Sequence, residues 1–219
     1  MNILIVEHAR VKRRYDVAGR RQAAARTRAS ILGAARRLFV TRGYAGTTVA
    51  DIALAAKIAL DTVYASVGTK QVLFRALIEA AISGTDRAVP AEDRDYVKAI
   101  HAAPDAGLKL EIYAHALRLI HARLAPLTRV LKEAATTDKD LAKLWKSIAR
   151  RRASNMRLFA TELAATGQLR TDVKIEEVAD VIWATSAPEF YLLLVGDRRW
   201  PPKKFETWLA RGWIQLLLR

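Results

Sequence analysis

The chain has 219 residues, of which 52% are hydrophobic and only 10 are Gly and 6 Pro, a composition that suits one large or two small helical domains. It contains no cysteine, which excludes a disulfide framework and a zinc finger with thiolate ligands. No apolar run approaches the roughly 18 residues of a membrane span, and the opening MNILIV is too short for a signal peptide, so we expect a cytoplasmic protein that binds no membrane.

Positive charge is concentrated in the first fifty residues, which hold eleven Lys and Arg against two acidic residues in a chain of net charge +15. Such a run is often only a solvated surface, but its place before the motif described below favours contact with phosphate groups. Residues 1–25 interleave basic with small or polar residues and show no sustained apolar seam. We predict a basic N-terminal arm over residues 1–25, mobile in the free protein, that follows a nucleic-acid backbone or enters its minor groove.

The first helix is predicted over residues 26–41, with Gly43 as its C-terminal stop. The stretch 47–74 then divides into short helices at about 48–55 and 59–65 and the start of a longer helix near Lys70. This pattern is typical of a helix-turn-helix with a supporting helix behind it.

Thr48 and Asp51 predict the start of the first short helix, because a Thr hydroxyl can accept from the Asp51 amide while the carboxylate favours the positive helix end. Helices this short are unstable alone, so their apolar faces must share a core with neighbours. The outward face of the second helix, narrow enough for a DNA major groove, consists of Leu60, Asp61, Thr62, Tyr64 and Ala65.

One set of residues and its spacing closely resembles the N-terminal signature of the tetracycline-repressor (TetR) family over roughly 50 residues, from Arg28 to about Leu77. The set is Arg28, Ile31, Leu32, Ala34, Ala35, Leu38, Phe39, Gly43, Tyr44, Thr47, Thr48, Val49, Ile52, Ala53, Ala56, Lys57, Ile58, Thr62, Val63, Tyr64, Val67, Lys70, Leu73 and Phe74. Two departures weaken the turn. Lys57 replaces the usual Gly, at a cost of about 1 kcal/mol if its φ is positive, and Ala59 replaces the usual Ser cap, at about 1 kcal/mol.

The resemblance implies DNA binding, with Tyr64, Thr69 and Lys70 at positions that contact phosphates. Tyr44 and Thr47 lie in a loop that would face DNA, although ordinary loop and cap roles fit them equally well. The second helix offers no Arg, Asn or Gln for base contacts, so part of the specificity would rest on DNA shape. The expected DNA-contacting residues are Arg28, Tyr44, Thr47, Thr48, Leu60, Asp61, Thr62, Tyr64, Thr69 and Lys70.

The helix from Lys70 is predicted to end near Ser83, before Gly84 and a polar stretch that marks a domain boundary. We predict an all-α protein in which residues 26–83 form a three-helix helix-turn-helix DNA-binding domain and residues 84–219 a helical-bundle domain for ligand binding and dimerisation. The helices expected in the second domain open at Pro104-Asp105 and break at Pro126, then include a short helix to about Thr136, a long helix from Asp138 to Gly167, and helices at about 174–195 and 202–218.

The last two predicted helices carry more apolar surface than a two-layer monomer can cover, and Pro188 should bend the first of them. We predict a homodimer through a two-fold four-helix interface, which is also where the resembled family dimerises. An internal core is the alternative. The expected interface residues are Pro188, Phe190, Trp208, Leu209, Gly212, Trp213 and Leu216.

The resemblance also implies a small-molecule effector, which an apolar pocket with a few polar groups would hold. An apolar or aromatic compound fits best. The alternative for each candidate residue is an ordinary place in the core without ligand contact. Arg152, on the same long helix, is expected to extend to solvent. The candidates are Tyr113, His115, Trp145, Asn155, Met156, Phe159 and Trp183.

No catalytic constellation is visible: the histidines lack the i, i+4 metal spacing, and there is no HExxH motif or Gly-rich phosphate loop. We therefore expect no enzyme activity, catalytic residue, metal site or cofactor. The predicted function is a sequence-specific transcriptional regulator, a repressor released from a palindromic double-stranded DNA operator by an effector. The alternative is a non-specific architectural DNA-binding protein.

Overall fold

The computed structural model describes residues 7–85 and 88–219, with side chains from Gly19 onward. The described residues are helical throughout, without a regular strand, which confirms the predicted all-α class. The helices are α1 (Glu7–Arg42), α2 (Val49–Ala56), α3 (Leu60–Val67), α4 (Lys70–Ser83), α5 (Asp95–Ala102), α6 (Ala106–Ala134), α7 (Lys139–Ala165), α8 (Ile175–Thr185), α9 (Pro188–Tyr191) and α10 (Pro202–Leu217), with a 3₁₀ turn at Ala91–Asp93 and a π-helical segment at Leu192–Asp197.

The chain divides into two compact units, the first ending at Phe74 and the second running from Arg75 to Arg219. The predicted boundary at 83/84 followed the end of a helix, whereas the observed division falls inside α4. Phe74 explains this difference, because its ring packs edge-on against Phe39 of α1 at 5.1 Å between centroids. The start of α4 therefore completes the core of the first unit.

In the first unit, α1 packs on α2 and α3 around fully buried side chains. These are Ile31, Phe39, Ile52, Val63, Leu73 and Phe74. Neither α2 nor α3, at eight residues each, would persist alone in water, so this shared core holds both in place.

The first helix begins earlier than predicted, at Glu7 instead of Arg26. Residues 7–25 are rich in Ala and Arg, contain no Pro and have a single Gly, Gly19, so their helix propensity is high even without an apolar seam. Most of the predicted arm is thus a continuation of α1. Residues 1–6 lie outside the described part of the chain.

In the second unit, α6 is the central helix and contacts α5, α7, α9 and α10. It runs through Pro126, where the sequence predicted a break. Proline removes one intrahelical hydrogen bond, at a cost of about 3 kcal/mol, but the buried neighbours Ala125 and Leu127 hold the helix in the core on both sides. Side-chain packing therefore overrides the local signal.

The predicted bend at Pro188 is present. Helix α8 ends at Thr185, α9 begins at Pro188, and the two segments meet at 43°. The end of α10 returns to the segment after α7, where the Arg170 amide donates to the Leu217 carbonyl at 2.9 Å.

Among the described residues no single helix is long and apolar enough to cross a membrane; α8 with Pro188–Asp197 meets that test only as a bent pair.

Candidate nucleic-acid interface

The start of α2 is fixed by a reciprocal pair of hydrogen bonds, of which the sequence predicted the one from the Asp51 amide to the Thr48 hydroxyl. The Asp51 amide donates to Thr48 Oγ1 at 3.0 Å, and the Thr48 amide donates to Asp51 Oδ2 at 2.8 Å. The bonds from the Thr48 side chain and backbone lower the pKa of the Asp51 carboxyl, and the charges of Arg42 and Lys70 act in the same direction. Thr48 is exposed, but its hydroxyl also donates to Asp51.

The turn between α2 and α3 has the geometry that the sequence predicted. Lys57 adopts a left-handed φ of +58°, and Ala59 caps α3 without a side-chain hydrogen bond. The Ile58 amide donates to the Ala53 carbonyl at 3.0 Å, which closes the end of α2. The angle between the two helices is therefore set by backbone bonds rather than by capping side chains.

Helix α3 presents a mixed polar and apolar face to solvent. Val63 and Val67 anchor the helix in the core, while the predicted outward set Leu60, Asp61, Thr62, Tyr64 and Ala65 is exposed. Leu60 and Tyr64 are 41% and 49% exposed. A short helix with this arrangement can enter a major groove without rearranging its core.

The N-termini of α2 and α4 lie near each other, since the charge of Lys70 acts on Asp51. Thr69 is exposed and accepts from the Val72 amide at 3.4 Å, so it caps α4, and Lys70 follows as the first residue of α4. The N-termini of α2 and α4, with Arg42 and Lys70 near Asp51, concentrate positive potential where phosphates would lie. Arg42 was not among the predicted residues, although a basic residue that ends a helix before the loop was a usable signal.

Tyr44 and Thr47, two of the predicted DNA-contacting residues, are both buried in this structure, as the alternative loop and cap roles imply. Thr47 is fully buried and its hydroxyl donates to the Gly43 carbonyl at 2.9 Å. The Tyr44 ring is buried, stacked on Phe39 at 5.6 Å and edge-on to Phe74 at 5.4 Å. The loop after α1 must close the end of the core, and these two side chains do so.

Arg28 is half-buried, and its Nη1 donates to the Ser66 carbonyl at 3.3 Å. In this structure Arg28 therefore supports the C-terminal end of α3 from α1.

Several predicted ligand residues come together in the core of the second unit. Tyr113 is stacked on Trp213 at 5.7 Å and meets Phe159 edge-on at 5.2 Å, with Met156 buried in the same cluster. Trp183 packs against this core and its Nε1 donates to the Ala149 carbonyl at 3.4 Å.

Trp145 and Asn155 are half-buried on α7. Trp145 lies 5.6 Å from the Lys132 ammonium, so its ring contacts a cation of α6. Neither residue is a member of the buried core cluster.

His115 does not belong to this interior. It is exposed on α6, with Nδ1 3.3 Å from Glu206 Oε1 of α10. Desolvation raises the pKa of Glu206, but hydrogen bonds from Lys203, Arg118 and His115 outweigh it and lower that pKa overall. His115 lies only two positions from Tyr113, so the two side chains leave α6 on different sides.

Arg152 was expected to extend to solvent, and this expectation was wrong, because its guanidinium turns inward. It shares one face of α7 with Met156 and Phe159, at i, i+4 and i+7. Its Nη2 donates to the Trp183 carbonyl at 2.7 Å and to Ser186 Oγ at 3.3 Å.

The predicted interface residues divide between surface and core. Trp208 and Leu216 are exposed, at 40% and 57%, and Phe190 and Gly212 are half-buried. Pro188, Leu209 and Trp213 are instead buried within the chain. Trp213 also donates through Nε1 to Thr185 Oγ1 at 2.7 Å, which ties α10 to α8. These three positions stabilise the core rather than an interface.

Within residues 7–85 and 88–219, no group of three or more His, Asp or Glu side chains is arranged to hold a metal ion.

Residues 31–77 match the family model described as bacterial regulatory proteins, tetR family. A comparison with curated proteins finds no match.

The whole fold is similar to several solved structures. The MbdR regulator from Azoarcus sp. CIB has a TM-score of 0.66 at 21% identity, over 88% of this chain and 100% of that chain. NalD, the secondary repressor of the MexAB-OprM multidrug efflux pump in Pseudomonas aeruginosa, has a TM-score of 0.66 at 16% identity. The match covers 88% of this chain and 98% of NalD. A transcriptional regulator from Saccharomonospora viridis, solved in complex with choline, has a TM-score of 0.65 at 18% identity. The match covers 88% of this chain and 97% of that chain.

The capping box, the left-handed turn and the exposed face of α3 lie within the matched segment, and both units share their helical fold with the solved structures. Residues 31–77 are therefore similar to the N-terminal segment of the tetR family of bacterial regulatory proteins, and the chain as a whole shares its helical fold with solved bacterial regulators.

Proposed function

We propose that this protein is a sequence-specific transcriptional repressor that binds a palindromic operator and leaves it when a small molecule occupies the second unit. The observation that supports this most directly is the exposed face of α3, which buried Val63 and Val67 hold against the core of the first unit.

The contacts divide by chemistry. Tyr64, Thr69 and Lys70 would contact phosphates and set the register of α3 on the duplex. Leu60, Asp61 and Thr62 would meet base edges, with Leu60 and Thr62 offering methyl groups to thymine and Asp61 accepting from cytosine. Because α3 carries no Arg, Asn or Gln, we also propose that DNA shape contributes to the choice of site.

A dimer is part of the proposal, because one eight-residue recognition helix makes few contacts and two related by a dyad can read a palindrome. Trp208, Gly212 and Leu216 recur at i, i+4 and i+8 on α10, and Trp208 and Leu216 are exposed. This apolar stripe, with half-buried Phe190 beside it, is the surface that we propose for the second copy.

The effector would bind within residues 84–219, among the aromatic side chains between α6, α7 and α8. The choline complex of the Saccharomonospora viridis protein supports the idea that a fold of this kind accommodates a small molecule. Residues 26–83 would form the DNA-binding domain.

The test is a fluorescence-anisotropy titration of the protein with DNA that flanks its own gene, at two salt concentrations. Tyr64→Ala and Lys70→Ala should each weaken binding, and Lys98→Ala, which removes an exposed charge from α5, is the matched control. Binding that is equal for wild type and both interface variants would refute the proposed contacts.

A non-specific architectural DNA-binding protein is the second candidate, favoured by the concentration of charge in residues 1–50. The same titration with random duplex as competitor separates the two. A regulator should prefer its operator by roughly 10³-fold or more, whereas an architectural protein should bind both alike with a steep salt dependence.

A further inference from the structure

The bend between α8 and α9 leaves backbone acceptors inside the second unit. Pro188 disfavours the helical conformation at the residue before it, and Ala187 is extended with a ψ of 142°, so the last turn of α8 cannot complete its bonding pattern. The Ser186 carbonyl accepts from His121 Nε2 of α6 at 3.0 Å, and the Trp183 carbonyl accepts from Arg152 Nη2 of α7 at 2.7 Å. Three helices thus place polar groups around Ser186, and we call Tyr113, His121, Arg152, Ser186 and Glu189 the Ser186 cluster.

Arg152 is the charged group of the cluster that has no direct ionic partner in the described structure. Among the described residues Arg152 forms no ion pair, and its partners there are the Trp183 carbonyl, the Ser186 hydroxyl and the Trp183 ring at 5.4 Å. The nearby carboxylate of Glu189 already pairs with Lys132 at 3.0 Å. Two cations therefore face one carboxylate.

Two buried polar atoms of the cluster also have no hydrogen-bond partner among the described residues: His121 Nδ1 and Glu189 Oε2. His121 is only 2% exposed. Because Nε2 donates to the Ser186 carbonyl, Nδ1 is the acceptor of the neutral ring. Buried polar atoms without a partner cost stability, and because both atoms are acceptors, a donor group on a bound molecule would recover that free energy.

Helix capping alone does not account for Arg152. The two capping bonds use Nη2, and within the described structure no bond involves Nε or Nη1. Desolvation lowers the pKa of this guanidinium, which shows that its placement opposes the charged form. A neutral Gln could cap the same carbonyl without that cost.

The surroundings of the cluster are aromatic. Tyr113 and Trp183 adjoin it, and Phe159 lies against Tyr113. Burial raises the pKa of Tyr113 to about 12, so its hydroxyl is a hydrogen-bond donor at neutral pH. A ligand here would meet donors at one end and apolar rings along its body.

We propose that the Ser186 cluster binds the carboxylate of a small organic acid with an apolar or aromatic body, Arg152 forming the ion pair and Tyr113 donating a hydrogen bond, while Ser186 holds Arg152 in place. A hydroxyl group on the acid would supply a donor for His121 Nδ1. This inference rests on the proposed effector binding and specifies the chemical class of the effector.

The experiment titrates the full-length protein with three acids and the primary amide of each: octanoate, 4-phenylbutyrate and 4-hydroxyphenylacetate. Isothermal calorimetry and the quenching of tryptophan fluorescence report binding. At least one acid should bind, and its amide should bind about 10- to 100-fold more weakly, as expected for loss of a charge-assisted bond.

Arg152→Gln should abolish the preference for acid over amide, and Arg150→Gln, an exposed arginine two positions earlier on α7, should keep it. Ser186→Ala, a smaller change, should weaken acid binding severalfold, and it carries the test if Arg152→Gln fails to fold. Circular dichroism reports folding of each variant.

Equal affinity for acid and amide, or no binding of any acid at millimolar concentration, would overturn the inference. DNA affinity, measured without ligand on the same samples, separates this failure from that of the proposed function. If the protein binds its operator but none of the acids, the inference about the effector is wrong and the proposed function stands. If it binds an acid but no operator, the proposed function is wrong.

Discussion

The ammonium of Lys70 lies 4.2 Å from the centre of the Tyr44 ring. Tyr44 is buried between Phe39 and Phe74, so the ring that receives this cation is itself held by the core of the first unit. The first residue of α4 is thereby tied to the loop after α1. We therefore expect Tyr44 to affect DNA binding through the position of Lys70, in keeping with the loop role that the sequence left open beside direct contact.

Tyr44→Leu should weaken operator binding about 2- to 5-fold, because loss of the cation–π contact costs about 0.5–1 kcal/mol. It should also lower the free energy of unfolding, since two aromatic contacts disappear. Tyr44→Phe keeps the ring and should preserve DNA affinity. A loss as large for Phe as for Leu, seen by anisotropy, would mean that the hydroxyl contacts DNA itself.

Lys57→Gly should stabilise the protein by roughly 0.5–1 kcal/mol, because glycine adopts the left-handed φ at position 57 without the strain that a side chain adds. The same substitution at Lys98, in the interior of α5, should destabilise by about 1 kcal/mol. Urea denaturation of both variants measures the contrast. Destabilisation by Lys57→Gly would show that the turn is not strained.

Acidification should destabilise the second unit through His121, whose pKa is lowered by burial from 6.5 to about 4, with Arg152 and Glu189 as the charged groups that face it. Above pH 6.5 the His121 ring is neutral in both the folded and the unfolded protein, so its full contribution to the free energy of unfolding is present. As pH falls from 6.5 towards 4 the unfolded state binds the proton first and stability is lost. The free energy of unfolding should therefore drop by about 2 kcal/mol from this group between pH 7.5 and 5.

His121→Gln is the control for that pH effect, because its amide can still donate to the Ser186 carbonyl but does not titrate. Denaturation curves at pH 7.5 and 5 should show a smaller drop for the variant than for the wild type. Other groups with lowered pKa values, such as Asp51 and Glu206, are common to both proteins. Identical pH slopes would contradict the burial of a neutral His121.

Leu216→Lys should convert the protein to a monomer at micromolar concentration, because the charge would be buried at the proposed α10 interface. Leu158→Lys, at a leucine 72% exposed on α7, should leave the dimer intact. Sedimentation velocity distinguishes the two. A monomeric wild type, or dissociation by both variants, would place the interface elsewhere or remove it.

The local features of the interface could be read from the sequence because neighbours along the chain determine them. The capping box at Thr48 and Asp51 and the strained turn at Lys57 follow from residues within four positions. The proline at position 188 likewise indicated the bend that is observed there.

Which side chains face the core could not be predicted from neighbours along the chain. Helix α10 is apolar on more than one side, so the sequence could not assign Trp213 to the core and Trp208 to the surface. Tyr44 and Thr47 look like loop residues until the end of the core that they cover is known. The continuity of α6 through Pro126 depends likewise on contacts distant in sequence.

The bend at Pro188 also determines how the interior of this protein should vary among related sequences. The Trp183 and Ser186 carbonyls are free to accept because the helix is interrupted before the proline. Arg152 donates to the first of them and His121 to the second. In a relative with a straight helix at this point, a buried arginine and histidine would have nothing to bond. We therefore expect positions 121, 152 and 188 to change together in evolution, so that sequence covariation records a feature of the backbone.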